Sequence, residues 1–195
     1  MIKLNLGEEQ LKKIKPLTKV GKDNIYHFLG YNLNLETNQF HDLLEKSTVH
    51  DDWGAQTMTA LLAHYSLANE TAKTGKLVKF KDLPGGYAYE HAFTQRAIDP
   101  IAKAFGSNPA EFAEAAKLFG GKRVNYGDMS VEIPSLEGIP IVYILWAKSE
   151  FPASANLLFD ESASCFLDTE SLSGLGELTT HRLLKAQSIL KEKKF

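Results

Sequence analysis

Residues 139–146, IPIVYILW, carry no charged or amide side chain on either face of the strand they would form. A strand with one wet face alternates apolar and polar residues, so a run apolar at both parities has to be covered on both sides. It is far too short to cross a bilayer, which takes about 20 residues of helix. It therefore predicts the central strand of a sheet, and the rest of the chain has to supply neighbours and cover. With 195 residues there is chain enough for one sizeable domain, or at most two small ones packed together.

The neighbours are legible on both sides. RVNYGDMSVEI reads as two hairpin arms around Gly127-Asp128, with Met129, Val131 and Ile133 on one face, followed by a loop PSLEG. NLLFD reads as the strand after the central one. The last helix, opened by Asp168 or Thr169, carries Leu172, Leu175, Leu178, Leu183, Ala186 and Leu190 along one face. Another begins with Asn108 as cap, Pro109 in the first position and Glu111 as capping-box partner, and ends at Gly120-Gly121. YAYEHAFTQRAIDPIAKAFG is helical but interrupted near Asp99-Pro100.

Upstream, GKLVKFKDL alternates as a short strand that closes at Pro84 to Gly86. DDWGAQTMTALLAHYSLANETAK predicts a helix capped by Asp51 or Asp52, with Trp53, Thr57, Leu61, His64 or Tyr65, Ala68 and Ala72 recurring at its period. IYHFLGYNLNLETNQFHDLL predicts a strand pair turning at ETNQ, and the polar first twenty-odd residues a short helix ended or kinked by Pro16. The expectation is an α+β fold, a mainly antiparallel or mixed sheet packed with several helices. Residues 1–24 form a polar extension and 25–195 a single domain.

Composition narrows the function classes. Apolar residues are 44% and charged residues 24%, as in soluble globular proteins. A net charge of -2 argues against a general nucleic-acid binder, and the lysines of KKIKPLTKVGK and KEKKF read as solvated helix ends. No signal-length apolar core opens the chain, so a cytoplasmic location away from membranes is expected. Cys165, the one cysteine, permits no internal disulfide, iron–sulfur cluster or structural zinc site, and reads as a buried thiol.

Three places carry candidate chemistry. In 146–170, WAKSEFPASANLLFDESASCFLDTE, the carboxylates Glu150, Asp160, Asp168 and Glu170 follow Asp128 and Glu132 of the hairpin. Converging, they would hold a hard cation or work as an acid–base pair. Separately, Asp160 closes a turn, Asp168 caps a helix and the others are solvated. In LPGGYAYEHAFTQRA, Gly85-Gly86 allows close backbone approach to a ligand, Tyr87, Tyr89 and His91 follow, and Arg96 offers a planar fork for a carboxylate or phosphate. The plainer reading is a tight turn and a salt bridge. His64, on the apolar side of its helix, would ligate a metal or the iron or cobalt of a tetrapyrrole, or else bond a core carbonyl. No phosphate loop, GxGxxG after a strand, HExxH or GxSxG is present.

Taken in order, ALLAHYSLA, TGKLVKFKDLPGGYAYEHAFTQR, PIAKAFG, AAKLFGG and YGDMSVEIPSLEGIPIVYILWAKSEFPASANLLFDESASCFLDTESL resemble the domain of unknown function 3786 family from about residue 25 to residue 184. That resemblance implies a domain of anaerobic bacteria and archaea. Some relatives carry an extra cysteine-rich cluster segment of the kind found in corrinoid iron–sulfur proteins, which is missing here. Tyr87, Arg96, Asp128, Glu150, Pro152 and Asp160 match the family pattern. Relatives often have an acidic run before FP, where this chain has Lys148 and Ser149 and keeps only Glu150, so an acidic site of the relatives would be weakened or lost.

The leading expectation is a non-catalytic small-ligand or cofactor binding or accessory module, linked to anaerobic redox or corrinoid metabolism. A tetrapyrrole or corrinoid is its candidate cofactor and an anaerobic redox or corrinoid enzyme its candidate partner. One alternative is a hydrolase or transferase using Asp128, Glu150 and Asp160. The other is a protein-interaction domain presenting an apolar stripe, for which the final helix is the candidate.

Overall fold

A computed structural model describes residues 2–3, 6–18, 20, 23–44, 52–69 and 71–192. The strand IPIVYILW becomes β8 (Ile139–Trp146), the middle of a five-stranded sheet ordered β5-β9-β8-β7-β6, with β5 (Leu77–Lys79), β6 (Lys122–Val124), β7 (Met129–Leu136) and β9 (Ser154–Asp160). Every pairing is antiparallel. Ile141, Tyr143 and Leu145 face the main core, and Val142 and Ile144 are buried on the other face, as a run apolar at both parities requires.

Helices α4 (Asp99–Phe105), α5 (Pro109–Lys117) and α7 (Thr169–Glu192) pack on the sheet and on one another, and α2 (Asp52–Tyr65) lies on α7. The leucine face of α7 is buried along most of its length: Leu172, Leu175, Leu178 and Leu183 expose nothing, and Leu190 near its end is partly buried. It therefore presents no apolar docking stripe. A second sheet, ordered β1-β4-β3-β2, holds β1 (Ile2–Lys3), β2 (Ile25–Phe28), β3 (Tyr31–Asn34) and β4 (Gln39–Asp42). Helix α1 (Glu8–Leu17) lays Leu11 and Ile14 into the shared core, with Pro16 in its last turn.

Several local expectations shift. The strand pair is a three-strand meander, because Leu29 and Gly30 at φ 47° and 79° insert a tight hairpin turn that only its tertiary setting reveals. Strand β7 runs through Pro134 and Ser135 to Leu136 by way of an irregularity, so the loop shrinks to Glu137–Gly138. Helix α2 ends at Tyr65, its buried face being Met58, Leu61, Leu62 and Tyr65, so Trp53 and His64 are exposed. Asp51 lies outside the described residues and Asp52 is already helical. Asn108 occupies the cap position without a side-chain bond, and Glu111 accepts from Gln187 of α7 at 3.0 Å instead.

Between Gly86 and Phe105 the helical run is continuous but changes gauge. A 3₁₀ turn (Gly86–Tyr89) leads into α3 (Glu90–Phe93), a π turn (Thr94–Ile98) and then α4. Pro100 has no N–H to donate and its ring crowds the carbonyl one turn back, so the helix widens just before it. The Thr180 hydroxyl donates to the Ala97 carbonyl at 2.6 Å, pinning the widened turn to α7.

Candidate functional site

The chain leaves β8 at Trp146 and enters β9 at Ser154 through the loop 147–153, the exit of the central strand. Three backbone bonds hold it. Ala147 N–H donates to Asp128 Oδ2 at 2.8 Å, Lys148 N–H to the Gly106 carbonyl at 2.8 Å, and Ser149 N–H to the Phe151 carbonyl at 3.1 Å. Gly106 has to be glycine here, since an ideal Cβ would sit 2.2 Å from the Ala153 Cβ. The anchored loop thrusts Phe151 out, 75% exposed, near the 37% exposed Trp146.

Open hollows lie on either side of Phe151 and Pro152. One of about 600 Å³ is walled by Asp99, Ala102, Lys103, Lys148 and Glu150, and one of about 430 Å³ by Asp128, Trp146, Ala147 and Ser154. A third, of about 190 Å³, runs between β9 and the helical segment 93–102. A fourth of about 370 Å³, beside the β2–β3 hairpin, is lined by none of the candidate residues. So Asp128 and Glu150 come to one loop, and Lys148 lies in the wall of the larger hollow.

Asp160 does not join them. It ends β9, six residues beyond Ser154, roughly 20 Å away along an extended strand. There its Oδ1 accepts from Thr74 N–H and Oγ1 (3.0 Å each) and from Ser162 N–H and Oγ (2.9 and 2.6 Å), and its Oδ2 from Gly75 N–H at 2.7 Å. Burial alone would raise the Asp160 carboxyl, but the bonds from Ser162 and Thr74 outweigh it and hold it far below the usual range. With its lone pairs committed to a loop clamp, Asp160 cannot share a proton or a cation with Asp128. Among the described residues no group of three or more His, Cys, Asp or Glu is placed to hold a metal ion.

The glycine pair serves the chain itself. Gly85 takes φ 77°, and an ideal Cβ on Gly86 would lie 1.9 Å from the Phe80 carbonyl oxygen, so the turn folds tightly on its own start. Tyr87 and Tyr89 are 81% and 58% exposed. Arg96 stands in the π turn, its Nε 3.3 Å from the Ala92 carbonyl and 3.4 Å from Glu177. The Thr169 hydroxyl donates to the Pro84 carbonyl, bringing this turn to the start of α7.

His64 is also at the start of α7, and on the surface rather than in the core. Its side chain is half exposed, Nδ1 lies 2.5 Å from Ser171 Oγ, and Asp168 Oδ2 is 3.6 Å from that same Nδ1. Asp168 caps α7 by accepting Ser171 N–H at 2.7 Å, and that bond chiefly depresses its carboxyl. A serine–histidine–aspartate set has formed from residues 107 positions apart, which no local signal announces. It is not a relay, because relay chemistry needs serine and carboxylate on opposite ring nitrogens. His64 lines none of the four hollows described above. Cys165 is exposed, not buried, since α6 (Ala163–Phe166) turns Ala163 and Phe166 inward instead.

No helix among the described residues is long and apolar enough to cross a membrane. Compared with known proteins, residues 20–182 match a family model described as a domain of unknown function (DUF3786). No curated protein and no solved structure matches the chain.

Proposed function

Because the chain belongs to the DUF3786 family, a domain without an assigned activity, we propose that it is a non-catalytic binding or accessory module whose ligand seats at the loop 147–153. The observation that supports this reading is the exposed Trp146 and Phe151 around two hollows of about 600 and 430 Å³, on a loop whose first residues are bonded to Asp128 and Gly106. Apolar rings with a few polar groups at the rim are the usual make-up of a small-molecule site. The rim carries both signs, Lys103 and Lys148 against Asp99, Asp128 and Glu150. That pattern fits a flat, ring-bearing ligand with polar substituents.

A hydrolase or transferase built on Asp128, Glu150 and Asp160 is not supported, because Asp160 is spent on its clamp at the far end of β9. The link to anaerobic redox or corrinoid metabolism rests on the family resemblance alone, and an enzyme of that kind is the proposed partner. Trp146 is a built-in reporter for the test. In a Trp53→Phe background, made and kept anaerobically, its fluorescence is followed during titration with hydroxocobalamin, haem and free flavin. Saturable quenching by one of them, weakened at least about 10-fold by Phe151→Ala, is the expected result. Linear, unsaturable quenching by all three removes the small-ligand reading.

A further inference from the structure

Trp146 ends a strand whose other residues are all buried, yet its own ring reaches solvent, as does that of Phe151 in the loop that follows. Single apolar residues on a surface are ordinary, but two large rings around one hollow mark a contact site. The indole is held in place. Gly127, at φ 53°, lies against it: an ideal Cβ there would sit 3.3 Å from Trp146 Cε2 and 2.8 Å from Ile144 Cγ2. Across the ladder Trp146 stands opposite Ser154, which is too small to cover the ring. Phe151 is followed by Pro152, and its carbonyl accepts from Ser149 N–H at 3.1 Å, which stiffens the backbone that carries it.

The charge beside these rings has one sign. Lys103, Lys148, Asp99 and Glu150 line the larger hollow, whereas the hollow of about 430 Å³ has Asp128 as its one charged side chain among the described residues. That carboxylate is positioned from two sides. Asp128 N–H donates to the Leu145 carbonyl at 3.1 Å, and Oδ2 accepts from Ala147 N–H at 2.8 Å, which together set it beside Trp146. Among the described residues Oδ1 takes no hydrogen bond, and no lysine, arginine or histidine pairs with Asp128.

An aromatic face attracts a cation through its quadrupole, tryptophan most strongly, and a carboxylate adds its full charge; a neutral ligand gains neither. We propose that this smaller hollow is the subsite for an organic cation with an alkylated ammonium head, seated on Trp146 and Phe151 and paired with Asp128 Oδ1. A hard metal ion would need six or so oxygen ligands, and no metal-holding group forms among the described residues. A bare ammonium keeps its water, while an alkylated one turns methyl groups to the rings. Phe151 and Pro152 also wall the larger hollow, so the rest of the ligand extends there. This rests on the reading of the loop 147–153 as a ligand seat, and it names what the smaller hollow selects.

The test uses the full ¹⁵N-labelled chain carrying Trp53→Phe, in which Trp146 gives the one indole N–H resonance. Choline and its uncharged carbon analogue 3,3-dimethyl-1-butanol are titrated separately at constant ionic strength. The expected result is a saturable shift of that resonance by choline, with the analogue binding at least about 5-fold more weakly. Asp128→Asn keeps an oxygen for the Ala147 N–H and should weaken choline about 5-fold while leaving the analogue unchanged. Phe151→Leu keeps apolar bulk without the ring and should weaken choline about 2- to 5-fold. The acetylated, amidated tripeptide Gly-trimethyllysine-Gly carries the same head. Tighter binding than choline would assign the subsite to a protein side chain, and weaker or equal binding to a free small molecule; either upholds it. Equal binding of choline and its analogue, indifference to Asp128→Asn, or no saturable shift would overturn the proposal. Saturable quenching by flavin, haem or hydroxocobalamin alongside such a result would leave the loop a ligand seat without a cation subsite, so the two readings fail separately.

Discussion

Asp160 shows how much one side chain can be asked to hold. Its five acceptor bonds fasten Thr74 and Gly75 of one loop and Ser162 of another to the end of β9. Because those bonds favour the charged form, its carboxyl titrates lower in the folded chain than in the unfolded one, near 3.9. Its contribution is thus complete above the unfolded value. It is lost as pH falls below that value toward the folded one, because the unfolded chain then takes up a proton the folded chain refuses. Asp42 shifts in the same direction, burial raising it while Arg182 more than compensates. Thermal melts between about pH 7 and pH 3 should show stability declining on acidification. Asp160→Asn should cost about 2–3 kcal/mol at neutral pH and flatten that decline. An unchanged slope would mean that the clamp is not ionic.

At the scale of elements, two glycines in α7 make opposite predictions. An ideal Cβ at Gly176 would lie 2.7 Å from Phe93 Cε2, and Phe93 is buried and stacked on Phe80 with ring centroids 4.1 Å apart. Alanine there gains about 1 kcal/mol of helix propensity but overpacks a ring that cannot move, at about 1–3 kcal/mol. Gly176→Ala should therefore destabilise the protein. At Gly174 the nearest atom is Thr57 Cγ2 at 3.8 Å, so Gly174→Ala should stabilise by up to about 1 kcal/mol. Urea denaturation of the two variants decides it, and equal shifts of either sign would refute the packing argument.

At the scale of the whole molecule, the smaller sheet is tied to the long helix by one buried cation. Arg182 is fully buried and donates to the Leu29 carbonyl at 2.9 Å and to both Asp42 oxygens at 2.7 and 2.6 Å, with its guanidinium 4.0 Å from the Tyr31 ring centroid. The Leu29 carbonyl belongs to the strained hairpin turn, so the same side chain pins that turn and β4 together. Asp42→Ala strands the guanidinium and should cost about 3–5 kcal/mol. The apolar pair Asp42→Leu with Arg182→Met should cost much less, since desolvating both charges offsets much of their attraction. Equal losses in single and double variants would reduce the pair to ordinary packing.

The pattern of side chains by itself determined the antiparallel hairpin before β8, β8 as the middle strand, and the buried leucine face of α7. In each case periodicity states which faces must be covered, and covering is what drives the strand or helix to form. It also singled out the stretch 146–170 and the carboxylates Asp128, Glu150 and Asp160, without deciding which of them meet. Only the tertiary structure decided what depends on partners distant in sequence. It put Tyr65 rather than His64 inward, gathered His64, Asp168 and Ser171 at one helix start, and carried Asp160 to the far end of β9. It also buried Arg182, which a helical pattern alone would leave in solvent, because Asp42 arrives 140 positions away in sequence. Likewise β5 pairs with only three residues of β9, because the chain turns at Phe80 into a 3₁₀ helix whose Phe80 ring is buried on Phe93.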